Sequence, residues 1–223
     1  MVLFLNGYDS FRRVHMMKKV FSLMIVFLLI TSSFLSTGSI VEAAPKKQNR
    51  AIMGVSALTP QQMADYVKKK NPRDVRLVQT SVEDLANLFV IIGAKEGVRG
   101  DVAFAQALKE TGYFRYGGDV LPEQHNYSGI GTTGNGVKGH YFRSPHQGVT
   151  AQVQHLKAYA SHDALNTKQV DPRFHLVKRG SATTWPSLHQ KWAMKPKGNY
   201  GTEILSIYQE MSKIPKRVAK ANR

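Results

Sequence analysis

A carboxylic acid at the end of an apolar helix is the first residue of this chain whose setting suits chemistry. The stretch Phe104-Ala105-Gln106-Ala107-Leu108-Lys109-Glu110-Thr111-Gly112 reads as a helix that stops at a glycine. Glu110 stands in the last turn, where the helix macrodipole is negative and a carboxylate is disfavoured. Burial beside Tyr113 and Phe114 acts in the same direction, because desolvation favours the neutral acid. A carboxyl held neutral near pH 7 can protonate a leaving oxygen. Helical spacing puts Glu110 on the side shared by Ala103, Gln106 and Ala107, small enough to leave room for a cleft. Spacing alone also allows a solvated glutamate that merely ends its helix.

Other chemistries find little support. Gly129-Ile130-Gly131-Thr132-Thr133-Gly134 matches a dinucleotide-binding pattern. It lacks the preceding strand, the following helix and the acid about 20 residues on that such a site requires. These glycines read instead as a loop turning tightly. The chain has eight histidines but no H-x-x-x-H or H-E-x-x-H spacing, and it has no cysteine, so we expect no metal centre, no disulfide and no cofactor. His125, beside Asn126, could touch a ligand but reads more readily as a surface histidine. Trp185 and Trp192 are spaced for one helix face and suit a core better than a ligand platform.

The elements that must position Glu110 are helices. Thr59-Pro60-Gln61-Gln62 is a capping box with proline in the first turn, opening a helix to about Lys70. Thr80-Ser81-Val82-Glu83 opens a second, with Val82, Leu85, Phe89 and Ile92 as its stripe. Asp101 is expected to cap a third, ended by Gly112. Further helices are expected at about 147–161, 185–193 and 200–213. Residues 113–147, with seven glycines, break the pattern and predict a loop or small β-hairpin lobe. The fold class is therefore mainly α (α+β), a single helical domain over 57–213 with one glycine-rich insertion. Residues 44–56 read as a flexible lead-in and 214–223 as a basic tail.

Composition bounds the partners. The formal charge is +16 with 42% apolar residues, which points to an anionic partner and says nothing of the fold. Residues 1–43 read as an N-terminal extension followed by a secretory signal: Lys18 and Lys19, an apolar run from Val20 to Ile30, and Val41-Glu42-Ala43 as the cleavage site. Translation starting at Met16 or Met17 fits that pattern. The apolar run is too short to span a bilayer alone, so stable membrane insertion is not expected after cleavage. Export disfavours nucleic acid, and no aromatic-basic motif suits it. A bacterial wall, with anionic polymers facing a basic surface, is the expected setting, and a monomer the expected state.

The segment from about 80 to 212 resembles the bacterial glucosaminidase family, peptidoglycan hydrolases with a lysozyme-like fold. The resemblance lies in Phe104 to Gly112, an alanine-rich helix ending in Glu-Thr-Gly, and in Asn126-Tyr127-Ser128-Gly129-Ile130. Phe142-Arg143 with the following helix, and Asn199-Tyr200-Gly201 with Ile204, add to it. It implies a secreted enzyme cleaving β-1,4 bonds after N-acetylglucosamine in wall glycan, with Glu110 as general acid. It also implies that Asn126, Tyr127 and Tyr200 contact substrate, and Tyr113 is grouped with them.

The chain departs from the family in two places. Most glycosidases use two carboxylates about 5–9.5 Å apart, and the family places its second after the Asn-aromatic motif. Here no Asp or Glu lies between Glu123 and Asp163. Asp119 and Glu123 are the nearest substitutes for the base, and each also reads as an ordinary loop acid. The substrate's N-acetyl group is another possible nucleophile. A tyrosine expected shortly before Tyr200 is missing. A lytic transglycosylase, or a wall-binding protein that keeps the fold without hydrolysis, are the competing readings.

Overall fold

The structure is a computed structural model that describes residues 49–192 and 198–217. The expected signal segment, residues 218–223 of the basic tail and the neighbourhood of Met194 lie outside them. Five helices carry the described residues: α1 (Pro60–Lys70), α2 (Val82–Glu96), α3 (Gly100–Glu110), α4 (Pro145–Ala160) and α5 (Tyr200–Ser212). Short 3-10 turns occur at Pro122–Gln124, Phe174–Leu176 and Trp185–Leu188. The fold is mainly helical, as a lysozyme-like domain of this class should be. The glycine-rich insertion is a loop and not a hairpin lobe, with one β-bridge between Gly134 and Val137. Its glycine density explains this, since closely spaced left-handed residues interrupt strand pairing.

Local signals account for most helix ends. Thr59 Oγ1 accepts a hydrogen bond from Gln62 N, and Gln62 Oε1 accepts one from Thr59 N. The second helix is capped by Ser81, one residue later than expected, and Ser81 Oγ also donates to Asp84 at 2.7 Å. Asp101 is not a cap; it lies inside the first turn of α3, fully buried. Its carboxylate accepts from Ala57 N at 2.7 Å and Leu58 N at 3.2 Å. An anion there also meets the positive end of the helix.

That contact corrects a second expectation. Residues 49–56 are not a flexible lead-in. Ile52 is fully buried, its N–H donates to Thr183 O and its carbonyl accepts from Arg99 N, both at 3.0 Å. The apolar Ile52 can be buried only if its backbone is paired, and these two bonds pair it. On the C-terminal side, Ile214 packs on the core and its carbonyl accepts from Gln62 Nε2 at 2.6 Å.

One core organises the domain. α2 packs on α1, α3 and α4, while α5 packs on α3 and on the Trp185–Leu188 turn. Phe89, Phe104, Phe114 and Tyr127 stack edge-to-face at its centre, with centroids 5.5–6.4 Å apart, a favoured arrangement for aromatic quadrupoles. Trp185 is fully buried in the same core. A buried ion pair, Lys157 Nζ to Glu96 Oε2 at 2.9 Å, ties α4 to the end of α2. Glu96 also accepts from the Asn166 and Thr167 amides and from Thr167 Oγ1.

Candidate active site

Glu110 is placed by what ends its helix. Thr111 caps α3, and its hydroxyl donates to Ala107 O at 2.7 Å while accepting from Phe114 N at 3.0 Å. The next residues, Gly112, Tyr113 and Phe114, have φ of 58°, 60° and 62°. Left-handed conformation in two consecutive aromatic residues is strained, so surrounding bonds must hold it. Tyr113 N donates to Leu108 O at 2.7 Å, Asn71 Nδ2 to Tyr113 O at 2.8 Å, and Arg76 N to Phe114 O at 2.9 Å. The turn reverses the chain and brings Tyr116 to the same pocket as Glu110.

Glu110 lies on a pocket of about 200 Å³, also lined by Thr111, Tyr116, Asp119, Gly129 and Thr132. Burial pushes its carboxyl up from 4.5 to about 7, against smaller opposing effects of the Tyr200 hydrogen bond and the Lys109 charge. Desolvation thus outweighs both stabilisers of the anion. Lys109 is itself engaged, 2.5 Å from Glu203 Oε2. The resulting group is a carboxylic acid poised to give or take a proton near neutrality.

Tyr200 holds one oxygen of that acid. It is the first residue of α5 and is buried. Its hydroxyl donates to Glu110 Oε1 and accepts from Gln106 Nε2 at 2.9 Å. Gln106 Oε1 accepts from Gln152 Nε2 at 2.9 Å, and Gln152 Nε2 also donates to Ala103 O at 3.0 Å. Gly201 permits this placement: a Cβ there would lie 1.8 Å from Trp185 O, so only glycine lets the start of α5 sit on that turn. Ala103 and Ala107 do not line a cleft. Both are fully buried, and their small size lets neighbouring elements approach α3.

The candidate second acids separate. Asp119 lines the pocket that holds Glu110. Its Oδ1 accepts from Gly136 N at 3.1 Å, which pins its loop to the 134–137 turn. Glu123 is exposed and is not among the pocket-lining residues. Gly129 forms part of the wall, with φ of 67°. A Cβ there would lie 3.8 Å from Glu110 Oε2 and 3.2 Å from Thr132 Oγ1.

Other expected contacts are placed elsewhere. Asn126 is 1% exposed. Its side chain donates to Ile130 O at 2.9 Å and His140 O at 3.2 Å and accepts from Ile130 N at 3.0 Å. Those bonds use its polar groups to shape the glycine loop, a structural task. Tyr127 is 1% exposed and edge-on to Phe89 and Phe114; its ring belongs to the core and offers no sugar platform. Tyr113 packs 6.2 Å from the Tyr66 ring and is not among the residues lining the pocket. His125 is buried, not a surface histidine. Gln152, Tyr116 and Thr132 join the site without having been singled out for it, and Gln106, expected on the Glu110 side of α3, holds Tyr200. A glutamine on a buried helix face was the one available signal. Among the described residues, no group of three or more His, Asp or Glu could hold a metal ion.

A family model described as Glucosaminidase, mannosyl-glycoprotein endo-beta-N-acetylglucosaminidase, matches residues 86–213. A Borreliella burgdorferi protein described as uncharacterized is 38% identical over 179 residues, covering 80% of this chain and 88% of that protein. No solved structure matches.

Proposed function

This chain belongs to the glucosaminidase family of glycoside hydrolases, and from that premise we propose that it is a secreted peptidoglycan hydrolase. It cleaves the β-1,4 bond after N-acetylglucosamine in wall glycan. The observation that carries the reading is Glu110, a pocket-wall acid pushed up to about 7 with one oxygen held by Tyr200. Glu110 gives its proton to the glycosidic oxygen, and the C1–O bond breaks with its electron pair going to that oxygen. A water adds to C1 and loses a proton, which restores the acid–base balance. Asp119, on the same pocket, is the protein group suited to take that proton; Glu123 is not. Without residues 1–43 the chain keeps 27 Lys and Arg against 13 Asp and Glu, a charge of +14 that holds the enzyme near anionic wall polymers, and it acts at the bacterial wall as a monomer.

The test is mass spectrometry of fragments released from purified peptidoglycan by the chain from Ala44 onward. Reducing-end N-acetylglucosamine is expected from the parent and none from Glu110→Gln. Asp119→Asn should lower the rate about 100-fold or more, the usual scale for a positioned acid or base, and Glu123→Gln should leave it unchanged. Anhydro-muramic ends would make it a lytic transglycosylase. Wall binding without fragments would leave a binding protein with an enzyme's fold.

A further inference from the structure

The polar chain Gln152–Gln106–Tyr200–Glu110 crosses three helices, α4, α3 and α5, inside the core. Gln106 and Gln152 are fully buried and Tyr200 is 2% exposed. Nearly all buried side-chain polar groups find hydrogen-bond partners, and the partners here fix the direction of each bond. Here the direction follows from one end. The Ala103 carbonyl can only accept, so the group of Gln152 facing it is the amide nitrogen, at 3.0 Å. That same nitrogen lies 2.9 Å from Gln106, which must answer with its oxygen. Gln106 therefore turns its nitrogen to Tyr200, at 2.9 Å. The tyrosine oxygen receives that donor, and its own proton has one place to go, Glu110 Oε1. Reversing any link sets two acceptors or two donors face to face. Gln152 Oε1 is left buried without a protein partner, a cost accepted in this orientation.

We propose that Gln106 and Gln152 are positioning residues that fix this polarity, so that the transferable proton of Glu110 resides on Oε2, the oxygen toward the pocket. Oε1 is occupied as an acceptor and cannot also carry the proton toward Tyr200. Of the Glu110 atoms it is Oε2 that approaches the pocket-lining Gly129, 3.8 Å from where its Cβ would stand. The polarity follows from the fold alone; its use in catalysis rests on Glu110 being the general acid. The other titratable or charged groups around Glu110 are Lys109 on its own helix, Glu203 paired with Lys109, and Tyr116 and Asp119 across the pocket. None of these belongs to the relay, and the variants below leave them in place.

The test reads Glu110 directly, by carboxyl carbon NMR on the full chain, with the resonance assigned by its loss in Glu110→Gln. Gln106→Met keeps the volume and removes both polar groups. Tyr200 then loses the donor that fixes its proton and polarises it. That hydrogen bond favours the charged carboxylate, so weakening it should raise the Glu110 pKa by roughly one unit. Gln152→Met, which touches neither Tyr200 nor Glu110, should raise it by less, and Tyr200→Phe by most. The basic limb of the kcat/KM profile should move upward with the NMR value, while kcat falls about tenfold and KM holds, within the scale of general-acid effects. A folded Gln106→Met protein in which Glu110 titrates as in the parent overturns the proposal; if Gln152→Met does not fold, Gln106→Met decides alone. If the titration moves as expected but no glycan is cut by the parent, the relay stands and the hydrolase reading fails.

Discussion

Replacing Glu110 by glutamine should make the protein more stable at pH 8, and by an amount the structure sets. The carboxyl prefers its neutral form in the fold, from 4.5 to about 7. Between those values the folded state binds more protons than the unfolded chain. Its penalty is therefore absent below pH 4.5, grows as pH rises, and is complete above about 7. At 1.36 kcal/mol per tenfold step in proton affinity, the full penalty is about 3 kcal/mol. The carboxyl is partly open to the pocket, and solvent screening reduces the figure to about 2 kcal/mol. Glutamine keeps the Tyr200 hydrogen bond, because its amide oxygen accepts as the carboxylate did, but it carries no charge to desolvate. Thermal unfolding of parent and Glu110→Gln at pH 8 and pH 4.5 measures the difference. The variant should melt about 4–8 °C higher at pH 8, given the usual sensitivity of domains this size, with the gain disappearing at pH 4.5. Identical pH dependence in the two proteins would refute a buried acid titrating near neutrality, whatever their activities. A variant less stable at pH 8 would show that the carboxylate is held as an anion, opposite to the proposed role.

Two further outcomes follow from specific contacts. Gly129→Ala puts a methyl 3.8 Å from Glu110 Oε2 at a φ of 67°; kcat/KM on wall glycan should fall about ten- to hundredfold through misplacement of substrate, with a stability loss of only about 1 kcal/mol, and unchanged kcat/KM would remove Gly129 from the pocket wall. Lys157→Met should cost about 3–5 kcal/mol in urea unfolding at pH 7, because it strands the buried Glu96 charge. Burial pushes the Glu96 carboxyl up, but its hydrogen bonds from Asn166, Thr167 and Lys157 outweigh this and hold it below 4.5. The parent's stabilisation from Glu96 is therefore complete above pH 4.5 and is lost as pH falls through the lowered folded value.

What the sequence determined by itself was local. Capping residues and apolar spacing marked the helices, because a Thr59–Gln62 box or a Val82–Leu85–Phe89–Ile92 stripe acts within a few residues. Glu110 was legible for the same reason: a helix end, a glycine stop and a run of apolar neighbours are all short-range. Tertiary structure decided whatever depended on residues far apart. Asn126 and Tyr127 looked like substrate contacts, yet one staples the loop through Ile130 and His140 and the other fills the aromatic core. Asp119 and Glu123 were indistinguishable as loop acids until the turn after α3 brought only the first to the pocket. Residues 44–56 read as a flexible lead-in, because nothing local shows that Thr183 and Arg99 pair the Ile52 backbone. The relay behind Glu110 needed the packing of α3, α4 and α5. Hydrogen bonds between residues 46 and 94 positions apart leave no periodic trace in the chain, since their partners meet only when a shared core is buried.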